Sequence, residues 1–301
     1  MATIVVAGGS GFLGRYLRAR FERDRHRVLT LTRRPKPGVA TDLHWQPDGN
    51  RGPWADRLEG VEAVFNLAGE NIGEKRWTTS RKRALRESRL LSTRSLVDAV
   101  QKCRTPPRVF VSASGSNYYG AHGDEPVTER RPPGHDFLAE MCVAWEREAS
   151  RLANHPTTRL AIARSGLVMG VDGGALKEMI RPFRFGLGAT LGTGRQFMPW
   201  IHVDDWTEMA AWLVATDAAR GPFNFTSPTP VTNREFTKTL ASVLRRPAVF
   251  QAPGFAVKLI LGEVAEFLLT GQRLLPAHAE RMGFQFRFRE LEPALRDLLR
   301  K

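Results

Sequence analysis

The glycine-rich run between residues 8 and 14 is the strongest chemical signal in this chain of 301 residues. It reads Gly8-Gly9-Ser10-Gly11-Phe12-Leu13-Gly14 and lies between an apolar, β-branched run and a stretch with helical spacing. A glycine turn in this position lets the backbone approach a diphosphate, and the free N–H groups at the helix start face its negative charge. Gly8 suits the tight turn, and Gly14 allows the helix to pack closely on the strand. The run therefore predicts a dinucleotide-binding site.

The end of the next predicted strand indicates which dinucleotide binds. NAD-binding proteins usually carry an acidic residue there, which holds the ribose 2′-hydroxyl. This chain has Thr32-Arg33-Arg34 instead. A carboxylate would repel a 2′-phosphate, whereas an arginine fork can bind it. The sequence therefore favours NADP(H) over NAD(H).

The elements that must position these residues alternate between strand and helix over the first 165 residues. Strand patterns cover 3–7, 27–32, 62–67, 108–114 and 159–165, with one more at 222–226. Helical patterns cover 11–24, about 78–102 and 137–152. This alternation predicts an α/β fold with a Rossmann-type, doubly wound parallel sheet. We expect residues 1–168 to form the cofactor domain, joined by a strand near 221–227, and residues 169–301 to form a smaller C-terminal substrate lobe.

The charge balance, the cysteines and the termini limit the other functions. The formal net charge is +14, and the densest basic run is 75–94. A nucleic-acid patch is one interpretation, but a solvated helix face is favoured because no nucleic-acid motif accompanies the run. Cys103 and Cys142 lack ligand-like spacing, and the histidines form no metal-binding pair, so we expect no metal. With no signal peptide and no apolar span, we expect a cytoplasmic protein with no membrane or nucleic-acid partner.

Several ordered runs resemble the extended short-chain dehydrogenases/reductases, which include nucleotide-sugar epimerases. The family runs are the glycine turn, Asn66-Leu67-Ala68-Gly69, and Ser112-Ala113-Ser114 with Tyr119-Gly120. Further runs resemble the epimerase-like subgroup of short-chain dehydrogenase/reductase family 39U; these are 66–71, 164–168, 183–188, 200–204, 232–236 and 283–286, with Gly271-Gln272 before Pro276. The resemblance covers essentially the whole chain.

The resemblance implies a cofactor lying across the carboxyl edge of the sheet, below a C-terminal substrate lobe. The glycine turn would hold the pyrophosphate, and Thr32 and Arg33 would hold the adenosine phosphate. The implied further contacts come from later loops and helices: Leu67, Ala68, Gly69, Glu70, Arg89, Ser112, Leu167 and Val168.

The sequence departs from the family at the catalytic pair. Active members use Tyr-x-x-x-Lys, because a phenol with a pKa near ~10 needs a neighbouring cation to exchange protons near neutral pH. No Tyr-x-x-x-Lys exists here, and Phe137 and Met141 stand at the corresponding positions. Ser114 matches the family serine.

Two interpretations follow from this departure. In the first, the protein is an oxidoreductase or epimerase-like enzyme with a substituted acid or base. The candidates are Ser114, Glu140, Tyr118 and His202, and Glu70 beside the cofactor loop. In the second, the chain binds NADP(H) without redox chemistry and acts as a sensor or scaffold. We expect a small-molecule substrate of unknown identity and a monomer or homodimer.

Overall fold

The strands of the protein were assigned in a computed structural model that describes residues 1–299. In chain order they are β1 (Thr3–Ala7), β2 (Arg27–Thr32), β3 (Asp42–His44), β4 (Ala63–Asn66), β5 (Val109–Gly115), β6 (Gly123–Val127), β7 (Arg159–Ser165), β8 (Leu167–Met169), β9 (Ala189–Leu191), β10 (Phe197–Met198), β11 (Trp200–His202), β12 (Gly221–Phe225), β13 (Val231–Thr232), β14 (Phe250–Ala252) and β15 (Gln272–Leu274).

The α-helices follow the same chain order. They are α1 (Phe12–Arg23), α2 (Thr79–Val100), α3 (Phe137–Ala149), α4 (Gly174–Arg184), α5 (Val203–Ala215), α6 (Asn233–Leu244), α7 (Gly254–Leu261), α8 (Val264–Leu269), α9 (Ala277–Arg281) and α10 (Leu291–Leu299).

The main sheet has seven strands in the order β12-β7-β5-β4-β1-β2-β3, and each adjacent pair is parallel. The chain first builds outward from β1 through β2 to β3, and then crosses to β4 on the other side of β1. Ligands of such sheets bind at the carboxyl ends of the strands where this order reverses. The predicted Rossmann-type doubly wound fold is confirmed, with the reversal between β1 and β4.

The sheet is buried between two helix layers, and its inner strands β1 and β4 are accordingly mostly apolar. Ile4, Val5 and Val6 are fully buried, and α1 turns Leu17 and Phe21 toward the core. Helix α1 packs beside α5, and α2 packs beside α3. Side-chain caps stabilise the starts of α2 and α3. Thr78 accepts a hydrogen bond from the Arg81 N–H at the start of α2, and Asp136 accepts one from the Ala139 N–H at the start of α3.

The C-terminal part of the chain forms short strand pairs and helices around the carboxyl end of the sheet. β8 pairs with β11, β9 with β14, β10 with β13 and β15 with β6. A capping box begins α6, because Thr232 and Glu235 exchange hydrogen bonds there. Among residues 1–299, no helix combines the length and the apolar character needed to cross a bilayer.

Candidate dinucleotide and substrate site

The turn after β1 is packed so closely that its glycines Gly8 and Gly14 leave no room for a Cβ atom. Gly8 adopts a φ of +82°, and an added Cβ there would lie 3.0 Å from the carbonyl carbon of Leu67. An added Cβ at Gly14 would lie 2.5 Å from the Cα of Gly9. The Gly11 N–H closes the turn on the Gly8 carbonyl at 3.0 Å. Strand, turn and helix are therefore packed backbone on backbone.

The start of α1 offers an anion site. Gly11 is the N-cap, provides no side-chain cap, and is followed by no acidic residue in the first turn. The N–H groups of that turn and the positive end of the helix dipole are thus available to a negatively charged group. Phe12 and Leu13 play another part, because both pack against the buried core. Ser10 is exposed at the turn.

The end of β2 places a cation beside this turn. Thr32 accepts a hydrogen bond from the Arg34 N–H at 3.2 Å, which orders the chain where it leaves the sheet. The side chain of Arg33 is 68% exposed, and its guanidinium lies 4.0 Å from the Glu70 carboxylate. An exposed guanidinium with so distant a partner is free to bind a phosphate.

The loop after β4 carries the second charged group of the site. Arg81 donates to Glu70 at 2.9 Å, and this hydrogen bond lowers the pKa of the Glu70 carboxyl. The Glu70 carboxyl is therefore ionised near neutral pH, and its charge is balanced by the ion pair with Arg81. Asn66, at the end of β4, anchors the start of this loop in the core, because its side-chain amide donates to the Thr93 hydroxyl at 2.8 Å.

Arg89 on α2 lies beneath the same loop. Its guanidinium donates to the carbonyls of Leu85 at 2.9 Å and Glu70 at 3.0 Å, and an added Cβ at Gly69 would lie 3.3 Å from its Cζ. The Nε is buried without a hydrogen-bond partner in the described part of the chain. Burial lowers the pKa of Arg89. A buried cation with an unsatisfied donor fits an incoming anion or ribose hydroxyl.

Ser114, at the end of β5, heads a buried polar network. Its hydroxyl donates to the Glu146 carboxylate on α3 at 2.7 Å, and Arg164 on β7 donates to the same carboxylate at 2.8 and 2.7 Å. Arg164 also donates to the Tyr119 hydroxyl, which in turn donates to Asn224 at 2.6 Å. Burial opposes the charge of Arg164, but hydrogen bonding to Glu146 outweighs it and raises the pKa of the guanidinium.

Among the other acid–base candidates, the structure brings Tyr118 closest to this network. The Arg164 guanidinium lies 3.5 Å from the centre of the Tyr118 ring. Glu140 lies on the exposed face of α3, in the groove between α2 and α3 that Arg86 and Arg147 also line. The structure does not bring Glu140 together with Ser114, which lies on the buried side of α3.

His202 is buried at the start of α5. Its Nδ1 accepts from the Asp204 N–H at 3.0 Å, and its ring stacks on Phe288 with centroids 4.0 Å apart. One ligand atom from each of His202, Asp204 and Asp297 lies within 4.8 Å of the others. Arg287 already balances these carboxylates, at 3.5 Å from Asp204 and 3.7 Å from Asp297. These contacts place His202 in a capping and packing position.

The remaining predicted cofactor residues line the strand ends. Ser112 is buried in β5, opposite Asn66 of β4. Leu167 and Val168 lie in β8, where Leu167 is half-buried and Val168 is buried. Ala68 donates its N–H to the Asn66 side chain at 3.4 Å. All of them lie at or just beyond the carboxyl edge of the sheet, and their roles stay predictions.

An apolar cluster surrounds Phe137 and Met141 at the start of α3. Met141 is buried with Leu138 and Leu85, and Phe137 packs against them. Phe267 of α8 and Trp77 close the cluster from the other side. The side chains of Phe137 and Met141 are therefore packed among other apolar groups.

Five residues of this site have no sequence motif that predicts a functional role: Glu146, Arg164, Tyr119, Asn224 and Arg81. One signal was available: Arg164 is a charged residue inside the apolar strand pattern Arg159–Ser165. A buried charge of this kind needs a partner, which the structure shows to be Glu146.

The fold and the strand-end site define a dinucleotide-binding α/β protein of the Rossmann type. The model of the NAD dependent epimerase/dehydratase family matches residues 4–225, and that of a domain of unknown function, DUF1731, matches residues 252–298. The chain belongs to the NAD dependent epimerase/dehydratase family, among the epimerase family proteins that include SDR39U1.

The similarity to individual relatives extends over whole chains. The epimerase family protein ML0860 of Mycobacterium leprae is 40% identical over 98% of this chain and 94% of its own length. The chloroplastic SDR39U1 homologue of Arabidopsis thaliana is 37% identical over 99% of this chain and 86% of its own. The crystal structure of human SDR39U1 isoform 2, solved with NADPH, is 33% identical, covers 99% of both chains and has a TM-score of 0.90.

Proposed function

We propose that this chain binds NADP(H) at the carboxyl ends of β1, β2 and β4 and acts as an oxidoreductase or epimerase-like enzyme. The substrate would be a small compound with a carbonyl or hydroxyl group. The observation that carries the proposal is the glycine turn, in which no Cβ fits at Gly14, beside the exposed Arg33 guanidinium. The human relative solved with NADPH supports the same cofactor.

The chain's own residues suit each part of that cofactor. The N–H groups after Gly11 would bind the pyrophosphate, and Arg33 would bind the 2′-phosphate. Arg89 would use its buried Nε toward the ribose or the nicotinamide side, in place of the missing lysine. When bound, the nicotinamide ring supplies or accepts a hydride.

Ser114 is the proposed contact for the reacting oxygen of the substrate. Because its hydroxyl proton is directed to Glu146, its lone pairs can accept a hydrogen bond from a substrate hydroxyl. Glu146 itself is neutralised by Arg164 and would position the serine. Tyr118, stacked on Arg164, is the proposed proton donor.

A specific observation favours a second candidate function. Phe137 and Met141, which the resemblance aligns with the proton-exchanging pair, pack in an apolar cluster with Leu138. A chain that binds NADP(H) but performs no redox chemistry would serve as a sensor or scaffold. In either case we propose a monomer or homodimer in the cytoplasm, although one relative is chloroplastic.

Two assays separate the two functions: consumption of NADPH with a panel of aldehydes and ketones, and isomer analysis of nucleotide-sugars incubated with the cofactor-loaded protein, because an epimerase regenerates its cofactor in each cycle. The enzyme proposal expects turnover with at least one substrate class, a loss of about 10²-fold or more for Ser114→Ala, and little change for the exposed Ser242→Ala. Tyr118→Phe should reduce the turnover number more than the KM. Tight NADPH binding without turnover on any substrate would support the sensor instead.

A further inference from the structure

Two stretches of the C-terminal part of the chain have an unusual charge composition. Residues 179–203 and 236–262 contain no Asp or Glu. They contain seven basic residues: Arg181, Arg184, Arg195, Lys238, Arg245, Arg246 and Lys258.

The same stretches carry most of the exposed large apolar side chains among the described residues. Their exposed fractions are 76% for Phe185, 61% for Leu187, 81% for Val249, 53% for Phe250, 76% for Phe255, 77% for Leu259 and 70% for Ile260. Exposure above one half means that neighbouring groups do not cover these side chains, so they project into solvent.

The fold brings the two stretches together. β14 pairs with β9 so that Phe250 lies opposite Ala189, and the Gln251 side chain donates to the Gly192 carbonyl at 2.7 Å. A Cβ added at Gly186 would lie 3.9 Å from the Pro247 ring. Helix α7 begins two residues after β14. We call this surface, formed by the seven apolar side chains and the flanking cations, the basic apolar face.

Most of the cations that flank the apolar side chains form no ion pair with an acidic residue in the described part of the chain. Arg181, Arg184, Arg245 and Arg246 are exposed, and none of the ion pairs among residues 1–299 includes them. Lys258 lies 4.0 Å from Glu266, too far for a strong pair. The face therefore combines uncompensated positive charge with protruding hydrocarbon.

We propose that the basic apolar face docks this protein onto the surface of an anionic lipid bilayer. Projecting Phe, Leu and Ile side chains can enter the boundary between headgroups and acyl chains, while arginines bind the lipid phosphates. A bilayer fits better than an acidic protein, because the seven apolar side chains project into solvent from separate elements, where they can enter a lipid surface. The proposal departs from the expectation of no membrane partner, and it requires no membrane-spanning helix.

Two consequences follow from the position of the face. Helix α7 ends beside the loop before α2, where Arg76 donates to the carbonyls of Leu259 and Ile260. Helix α8 then contributes Phe267 to the apolar cluster next to the candidate substrate site. Docking would thus bring the substrate side of the molecule close to the lipid surface.

Cosedimentation with vesicles tests the proposal on the full chain. Vesicles of phosphatidylcholine with phosphatidylglycerol should bind the protein, vesicles of phosphatidylcholine alone should bind it much more weakly, and added salt should weaken binding. Arg245→Gln with Arg246→Gln should lower the partition coefficient about thirtyfold, at roughly fivefold per charge. The exposed pair Arg51→Gln with Arg57→Gln is the matched control.

A second variant separates lipid insertion from charge attraction. Phe255→Ser with Leu259→Ser should weaken vesicle binding by about tenfold or more, while Val39→Ser leaves it unchanged. Titration with NADPH and thermal unfolding verify that each variant is folded. The proposal is overturned if neither kind of vesicle binds, or if soluble polyglutamate binds as tightly as the anionic vesicles. It is also overturned if the serine variant binds vesicles like wild type, or if the face instead mediates self-association that the serine variant abolishes.

Discussion

Glu146 and Arg164 form a bidentate ion pair in the interior, with guanidinium nitrogens 2.7 and 2.8 Å from the carboxylate oxygens. Their side chains are only 9% and 5% exposed. The pair lies directly behind Ser114, which donates to the same carboxylate. The Glu146 carboxylate thus accepts hydrogen bonds both from Ser114, the proposed substrate contact, and from the buried guanidinium of Arg164.

Removing one member of this pair should be strongly destabilising. Glu146→Ala leaves a buried guanidinium without its counter-charge, and we expect a loss of about 3–5 kcal/mol in the free energy of unfolding. Urea denaturation measures this loss. Glu148→Ala, at the more exposed pairs with Arg94 and Arg151, is the control and should cost ~1 kcal/mol or less. Equal losses for the two variants would contradict the assignment.

The glycine turn should not tolerate the smallest side chain. Gly14→Ala places a Cβ against the backbone of Gly9, so we expect a cost of about 1–3 kcal/mol and weaker NADPH binding. Gly73→Ala is the control, because its Cβ would meet only Asn71 Oδ1 at 3.7 Å. Thermal unfolding and calorimetric titration give both quantities. Unchanged binding by Gly14→Ala would show that the turn does not approach the cofactor.

Arg89 should matter more for binding than for folding. Its guanidinium is buried with no carboxylate hydrogen-bonded to it in the described structure, and burial lowers its pKa, so removing the charge relieves a desolvation cost. We expect Arg89→Met to weaken NADPH binding by about tenfold or more, with a small change in melting temperature. Arg94→Met, on the same helix, is the control. A large fall in melting temperature with intact binding would make Arg89 purely structural.

Cys142 should give stability a dependence on alkaline pH. Burial raises the pKa of its thiol from 9.0 to about 11. The unfolded chain loses this proton as the pH rises past 9, while the folded chain keeps it until about 11. The thiol's contribution is therefore complete below pH 9 and is lost between pH 9 and 11, at about 1.4 kcal/mol per pH unit.

Urea unfolding of wild type and Cys142→Ala under reducing conditions measures this effect. Wild type should lose stability more steeply than the variant over that range. Parallel pH profiles would show that the thiol titrates alike in both states.

The sequence predicts the Rossmann elements closely, because local patterns define them. β1, β2 and β7 begin and end at the predicted residues, since each is a short apolar run bounded by turn or polar residues. Helix α3 ends at Ala149, three residues earlier than the pattern suggests, because the chain tightens into a 3-10 turn at Ser150–Leu152.

The polar network behind Ser114 was beyond the reach of sequence patterns. Its members come from β5, the turn after β5, α3, β7 and β12, and only the sheet order brings β5 and β12 to the two sides of β7. Glu140 carries a carboxyl group that could act as a catalytic acid. The helical period, however, turns its side chain outward, while Cys142 and Glu146 face inward. Periodicity could have placed Glu146 on the buried face of α3, but not opposite Arg164.

Calorimetric titration of the cofactor-free protein with NADPH, NADP and NADH tests the central claim, that this chain binds a 2′-phosphorylated dinucleotide through Arg33. We expect clear binding of NADPH and NADP, with NADH at least tenfold weaker, a difference of about 1.4 kcal/mol or more. Arg33→Asp should abolish that preference, whereas Arg51→Asp should preserve it. An unchanged NADPH dissociation constant for Arg33→Asp, or no binding of any of the three dinucleotides, would contradict the claim.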